Sequence, residues 1–264
     1  MSVSKSLTYT RYLKIDELLS LQQCKSDPEE HDETLFIIIH QTYELWFRQI
    51  LHEFKLLRQE LSAGRTWTSI RTLRRILTIM KTLVGQIDIL ETMTPLSFNM
   101  FRKFLDSSSG FQSVQFREME IICGLRYPLM TEAHHDNEPA LKIIRSRMEE
   151  QTLWEAFIAY LQRQGHPAKT PKRVNEHGLL FEASPHNQQV LIEVMHNDPE
   201  SSLLSELFVD FDEGLQEWRY RHVKMVERTI GTKKGTGGSD GVTYLRKTTN
   251  NAIFPDLWAI RAHI

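Results

Sequence analysis

The amino-acid sequence predicts an all-α fold, a single-domain helical bundle around a core pocket, and two observations carry that expectation. Large apolar residues recur in steps of three and four through three long stretches, the spacing that keeps them on one helix face. No run alternates apolar and polar residues as a half-buried strand would. Neither an internal repeat nor a low-complexity linker divides the 264 residues. Helices with one apolar face each are expected to bury those faces against one another.

Taken in order, residues 1–20 form an N-terminal arm, with Tyr9 and Tyr12 in LTYTRYL. Such an arm is either disordered or docked on a neighbouring subunit, and a side chain with an apolar body and a polar tip suits an interface. The first long helix is expected from about Leu35 to Leu61, where Phe36, Ile39, His40, Tyr43, Phe47, Ile50 and Phe54 share a face and Gly64 offers the stop. The second runs from about Thr68 to Leu90 on Ile70, Leu73, Ile76, Ile79, Leu83 and Ile87, and Pro95 marks the next break. Phe98–Leu105 reads as a short helix, SSSG (107–110) as a loop and Phe111–Cys123 as a further helix. Residues 126–139 and 164–187, rich in His, Pro, Asn and Asp, read as loops around shorter helices. The third long helix is expected over Leu203–Ile230, ended by Gly231, with short helices from Ser239 onward after a glycine-rich loop.

Composition excludes several classes. Charged residues make up 25% and hydrophobic ones 41%, ordinary for a globular protein, and the net charge of -2 lacks the basic field of a nucleic-acid binder. Two cysteines, Cys24 and Cys123, can form one pair at most, which fits a reducing compartment. The first residues have no apolar signal-peptide core, and no apolar run approaches membrane-spanning length. A cytoplasmic protein is expected.

Two histidines interrupt apolar faces. His222 continues the stripe Phe208, Phe211, Leu215, Trp218 towards Met225 and Val226, and His40 lies one turn after Phe36. Each is either a core histidine satisfied by a neighbour or a group facing a bound ligand. Two inward imidazoles on separate long helices match a bundle that holds a cofactor between facing side chains. A bare metal would want three or four protein ligands, whereas a haem needs one axial nitrogen, and that asymmetry favours haem. Glu193 and His196 have the spacing of one half of a di-iron site, but such sites need a second pair and two further carboxylates.

Arg102, among apolar residues in FNMFRKFL, is either a solvated helix residue or a planar fork for a substrate carboxylate. GTGGSDG (235–241) lacks P-loop spacing and follows a helix rather than a strand, so it is no nucleotide fingerprint. It reads as a flexible connector or as a loop that brings backbone amides and the Thr236 hydroxyl to a polar head group.

Six blocks, LTYTRYLKIDELLSLQ, HDETLFIIIHQTYELWFRQILHEF, FRKFLDSSSGFQSVQFREME, WRYRHVKMVERTIG, KKGTGGSDGVTYL and FPDLW, resemble the tryptophan 2,3-dioxygenase family in that family's order. Residues 126–200 match least. The resemblance implies a tetrameric all-α enzyme with ferrous haem b that cleaves the indole C2–C3 bond of L-tryptophan with O2. It marks His222 as the proximal iron ligand. The distal wall would be Phe36, Ile37, Ile38, Ile39 and His40, with His40 near the indole N–H as the catalytic group. It marks Arg102 as the carboxylate clamp and Thr236 as the contact for the ammonium and carboxylate end. Phe98 stands where the family has Tyr or Phe, and Ser109 and Gly110 match the turn lining the cofactor pocket. Tyr9 and Tyr12 resemble arm residues that reach into an adjacent subunit's site. Two alternatives stay open at the level of sequence: a haem monooxygenase acting on tryptophan or a substituted indole, and a haem- or indole-binding sensor without turnover.

Overall fold

The structure, a computed structural model, describes residues 6–126, 129–176, 179–231, 233, 235, 246, 249 and 252–264. The arm forms two short helices, α1 (Tyr9–Leu13) and α2 (Ile15–Leu19), neither of which buries a residue. The first long apolar stripe folds as α3 (His31–Ser62), which buries Ile39, Tyr43, Phe47, Ile50, Phe54, Leu57 and Leu61 on one face. It starts four residues earlier than its apolar pattern because Glu33 in the first turn anchors the approaching chain. Its carboxylate accepts from the backbone N–H of Lys25 at 2.7 Å and of Ser26 at 2.9 Å. The helix stops at Gly64, whose φ of +72° suits glycine. A Cβ there would meet the Arg163 side chain at 2.7 Å.

α4 (Thr66–Leu90) returns antiparallel and buries the expected Ile70, Leu73, Ile76, Ile79, Leu83 and Ile87. α5 (Pro95–Arg102) begins three residues before the expected Phe98, because Thr94 accepts from the Ser97 N–H and Pro95 opens the first turn. The stretch expected as one helix over Phe111–Cys123 is split. Ser109 caps a 3₁₀ turn at Gly110–Gln112, and Ser113 then caps α6 (Val114–Ile122).

The weakly patterned middle holds α7 (Leu129–Glu132), α8 (Glu138–Glu149), α9 (Leu153–Arg163) and α10 (Pro185–Asn197). Between α9 and α10 the expected loop is an antiparallel hairpin, β1 (Arg173–Glu176) with β2 (Leu179–Phe181). Strands of four and three residues are too short for alternation to be legible. Arg173 ties the hairpin to α9 by donating to both Glu155 oxygens, at 2.7 and 2.8 Å.

α11 (Pro199–Ile230) begins at an Asp198 cap with Pro199 in its first turn, before the expected Leu203, and ends at Gly231 as expected. It packs along α4, which in turn packs along α3, so these three helices frame the core. α12 (Pro255–Ala259) and a 3₁₀ turn at Ile260–Ala262 close the described chain. Their attachment is polar and buried. The fully buried Asp212 of α11 accepts from the N–H groups of Ile253 (2.7 Å) and Phe254 (3.1 Å) and from Trp258 Nε1 (2.9 Å). The C-terminal segment is thereby latched to the middle of α11. No described helix is long and apolar enough to cross a membrane.

Candidate functional site

The helix ends around α3, α5, α6 and α11 leave a cavity of about 280 Å³. Helical spacing explains which residues reach it. Phe36, His40, Tyr43 and Phe47 lie at steps of three and four on α3, and Trp218, His222, Met225 and Val226 do so on α11. α5 contributes Phe98 and Arg102, and the turn before α6 contributes Ser109 and Gly110.

Both imidazoles face this space. The accessible surface of His40, and the smaller one of His222, belongs to cavity wall rather than to the protein's outer surface. Burial, the His40 ring and the Arg117 guanidinium push the pKa of His222 down to about 4, so the ring is neutral at physiological pH. A neutral imidazole is the form that ligates a metal. The Trp218 ring stacks on it, with centroids 5.1 Å apart and planes within 9°. Burial also lowers the pKa of His40, against a smaller opposing pull from the Phe36 carbonyl and the Glu44 charge. The Nδ1 of His40 lies 2.7 Å from the Phe36 carbonyl oxygen. That oxygen can only accept, so Nδ1 carries the proton and Nε2 is left as an acceptor.

Phe36 packs its ring 4.1 Å from His40, 5.8 Å from Phe98 and 5.5 Å from Phe101. The result is an aromatic wall beside an imidazole acceptor. Ile37, Ile38 and Ile39 do not join it. Consecutive helix residues point around the axis, so Ile39 enters the protein core while Ile38 is exposed on the outer surface. Tyr9 and Tyr12, 75% and 71% exposed, also stand off the cavity. Thr236 lies outside the described residues, although its neighbour Gly235 lines the cavity. Glu193 and His196 are exposed on α10, and Glu193 accepts from Asn197 instead, so no di-iron pair forms there. Among the described residues no group of three or more His, Cys, Asp or Glu could hold a metal ion.

The residue-by-residue sequence reading did not single out the charged part of the wall. Arg117 and Glu120 of α6, Arg219 of α11 and Glu44 of α3 all line the cavity. Arg219 donates to Glu120 at 2.8 Å, and Gln115 donates to Glu44 at 2.8 Å. The legible signal was Arg117 three residues before Glu120, inside a helix too apolar to leave either solvated.

Fold and site together define a helical bundle enclosing a ligand-sized, mostly apolar cavity with two neutral imidazoles and three arginines in its wall. Sequence comparison narrows that class. The profile described as tryptophan 2,3-dioxygenase matches residues 1–184 and 129–264. A tryptophan 2,3-dioxygenase of Herpetosiphon aurantiacus is 52% identical, over 99% of this chain and 100% of its own. Those of Anaeromyxobacter dehalogenans and Caulobacter vibrioides are 48% and 40% identical, over 98% and 99% of this chain and 96% and 100% of theirs. The chain belongs to the tryptophan 2,3-dioxygenase family.

Proposed function

We propose that the chain, working as one domain over residues 1–264, cleaves the indole C2–C3 bond of L-tryptophan with O2 to give N-formyl-L-kynurenine. The observation that carries this reading is the pair of neutral imidazoles on two different long helices, facing one aromatic cavity. The chemistry of the cavity wall supports haem b as the cofactor. The cavity wall offers one unprotonated imidazole nitrogen, that of His222, backed by Trp218 and flanked by apolar side chains, and His222 would hold the iron of a macrocycle that brings its other ligands. Bound there in its ferrous form, haem supplies the activation of O2 that no side chain of this chain can supply.

The remaining work falls to the protein. His222 holds the cofactor, with the Ser109–Gly110 turn at its edge. Phe36 and Phe98 bury the indole, and Nε2 of His40 accepts from the indole N–H, which orients the ring and favours electron donation from it. Arg102 holds the carboxylate, and Thr236 takes the ammonium and carboxylate end. Phe98 lacks the hydroxyl that a tyrosine would add to that grip. Fixing both ends of the amino acid over the reacting centre lowers the barrier by removing orientational freedom. Both oxygen atoms end in the product.

The exposed arm supports a homotetramer in which Tyr9 and Tyr12 reach a neighbouring subunit's site. Cys24 and Cys123 are both free thiols, which suits a cytoplasmic setting. Mass spectrometry of the product formed by reduced, haem-loaded protein from L-tryptophan and O2 tests the reading. A gain of two oxygen atoms is expected. A gain of one replaces it with a monooxygenase, and intact haem and indole binding without turnover replaces it with a sensor.

A further inference from the structure

We propose that Arg117 is the seat of a cofactor carboxylate, its guanidinium holding a haem propionate against the α6 wall of the cavity. This rests on the haem reading above. Arg117 is only 6% exposed, yet it lines the cavity. Its Nη1 lies 2.6 Å from Glu120 Oε2, a charge contact without the alignment of a hydrogen bond, since that oxygen has no hydrogen-bond partner. Glu120 gives its other oxygen to Arg219 at 2.8 Å. The Nε of Arg117 is buried with no acceptor among the described residues. Buried donors without acceptors are rare in native proteins, and a small turn of the guanidinium towards an anion would satisfy this one.

The rings of Phe116 and Phe111, at 4.9 and 6.0 Å, flank the guanidinium and limit the planes it can adopt. Arg102 sits on α5, a different element, so the amino-acid carboxylate and the cofactor carboxylate have separate seats.

The test uses the full-length protein freed of cofactor, titrated with haem and with haem dimethyl ester, whose propionates are uncharged. Wild type should prefer haem by about tenfold or more, the loss expected when a charged hydrogen bond is removed. Arg117→Gln should lose most of that preference, and Arg117→Lys, which keeps the charge but not the fork, should keep part of it. The preference for tryptophan over tryptamine should not move in either variant. Equal haem and diester binding by wild type overturns the proposal without any variant. So does a full preference retained in Arg117→Gln, or an equal loss of both porphyrins, which would mark a structural role. A shift in the tryptophan–tryptamine preference would assign the carboxylate to the substrate and overturn it too. Failure of the haem reading is separate: wild type and His222→Ala would then bind haem equally weakly.

Discussion

His40 Nδ1 stands 2.7 Å from the carbonyl oxygen of Phe36, one turn back on its own helix. Because that oxygen only accepts, the bond selects one tautomer and leaves a lone pair on Nε2, the nitrogen on the far side of the ring. The helix backbone thus presets the hydrogen-bonding character that an indole N–H would meet.

A pH prediction follows from this arrangement. Burial lowers the pKa of His40 below the ordinary 6.5, so the neutral acceptor form persists as pH falls through that value. Protonation, and loss of the acceptor, should come only at more acidic pH. The profile of kcat/KM for tryptophan should therefore stay level through pH 6.5 and fall below it. An acid limb centred at or above 6.5 that disappears in His40→Ala would show that the ring is not held neutral.

Arg102 tests the other end of the substrate. Replacing it with alanine should weaken tryptophan binding by about 2–5 kcal/mol, the range for losing one partner of a buried charge pair. Tryptamine, which lacks the carboxylate, should bind wild type and Arg102→Ala alike. An unchanged tryptophan binding constant would remove Arg102 from the site.

Legibility from sequence followed the length and regularity of each signal. The three framing helices showed because each repeats its apolar period over many turns, and Gly64 and Gly231 marked their ends. α3, α5 and α11 start before their first expected residues because Glu33, Thr94–Pro95 and Asp198–Pro199 act through local hydrogen bonds and proline geometry ahead of the apolar pattern. His40, His222, Phe36, Phe98 and Arg102 reach one cavity, as read. Ile37, Ile38 and Ile39 do not, because a helix presents only every third or fourth residue to one side. The hairpin and the Arg117–Glu120–Arg219 wall were not singled out. The first is too short for a period, and the second joins residues about a hundred positions apart.

Asp212 carries a stability prediction that does not involve the cavity. Its carboxylate is fully buried and accepts from Ile253, Phe254, Trp258 and Gln216. Asp212→Ala leaves the buried N–H groups of Ile253 and Phe254 unpaired and frees Trp258 and Gln216, which should cost roughly 3–5 kcal/mol in urea unfolding. The amides of Ile253 and Phe254 should lose hydrogen-exchange protection ahead of those in α4. A loss of under about 1 kcal/mol would show that the C-terminal segment is held by its apolar contacts instead.

The arm supplies the last prediction. α1 and α2 bury none of their residues, and Leu7, Tyr9, Tyr12 and Leu19 are each more than two-thirds exposed, an apolar series left open among the described residues. If those side chains complete a neighbouring subunit's site, deleting residues 1–13 removes groups that touch substrate but none that touch the proximal imidazole. The truncated protein should keep its haem spectrum and its affinity for haem. Its turnover of tryptophan should fall and KM should rise. Mixing it with a His222→Ala full-length protein, which lacks the proposed iron ligand but keeps its arm, should restore part of the activity, because each chain then supplies what the other lacks. Full activity in the truncated protein alone would make the arm dispensable, and absence of rescue in verified mixed oligomers would confine its role to the chain that carries it.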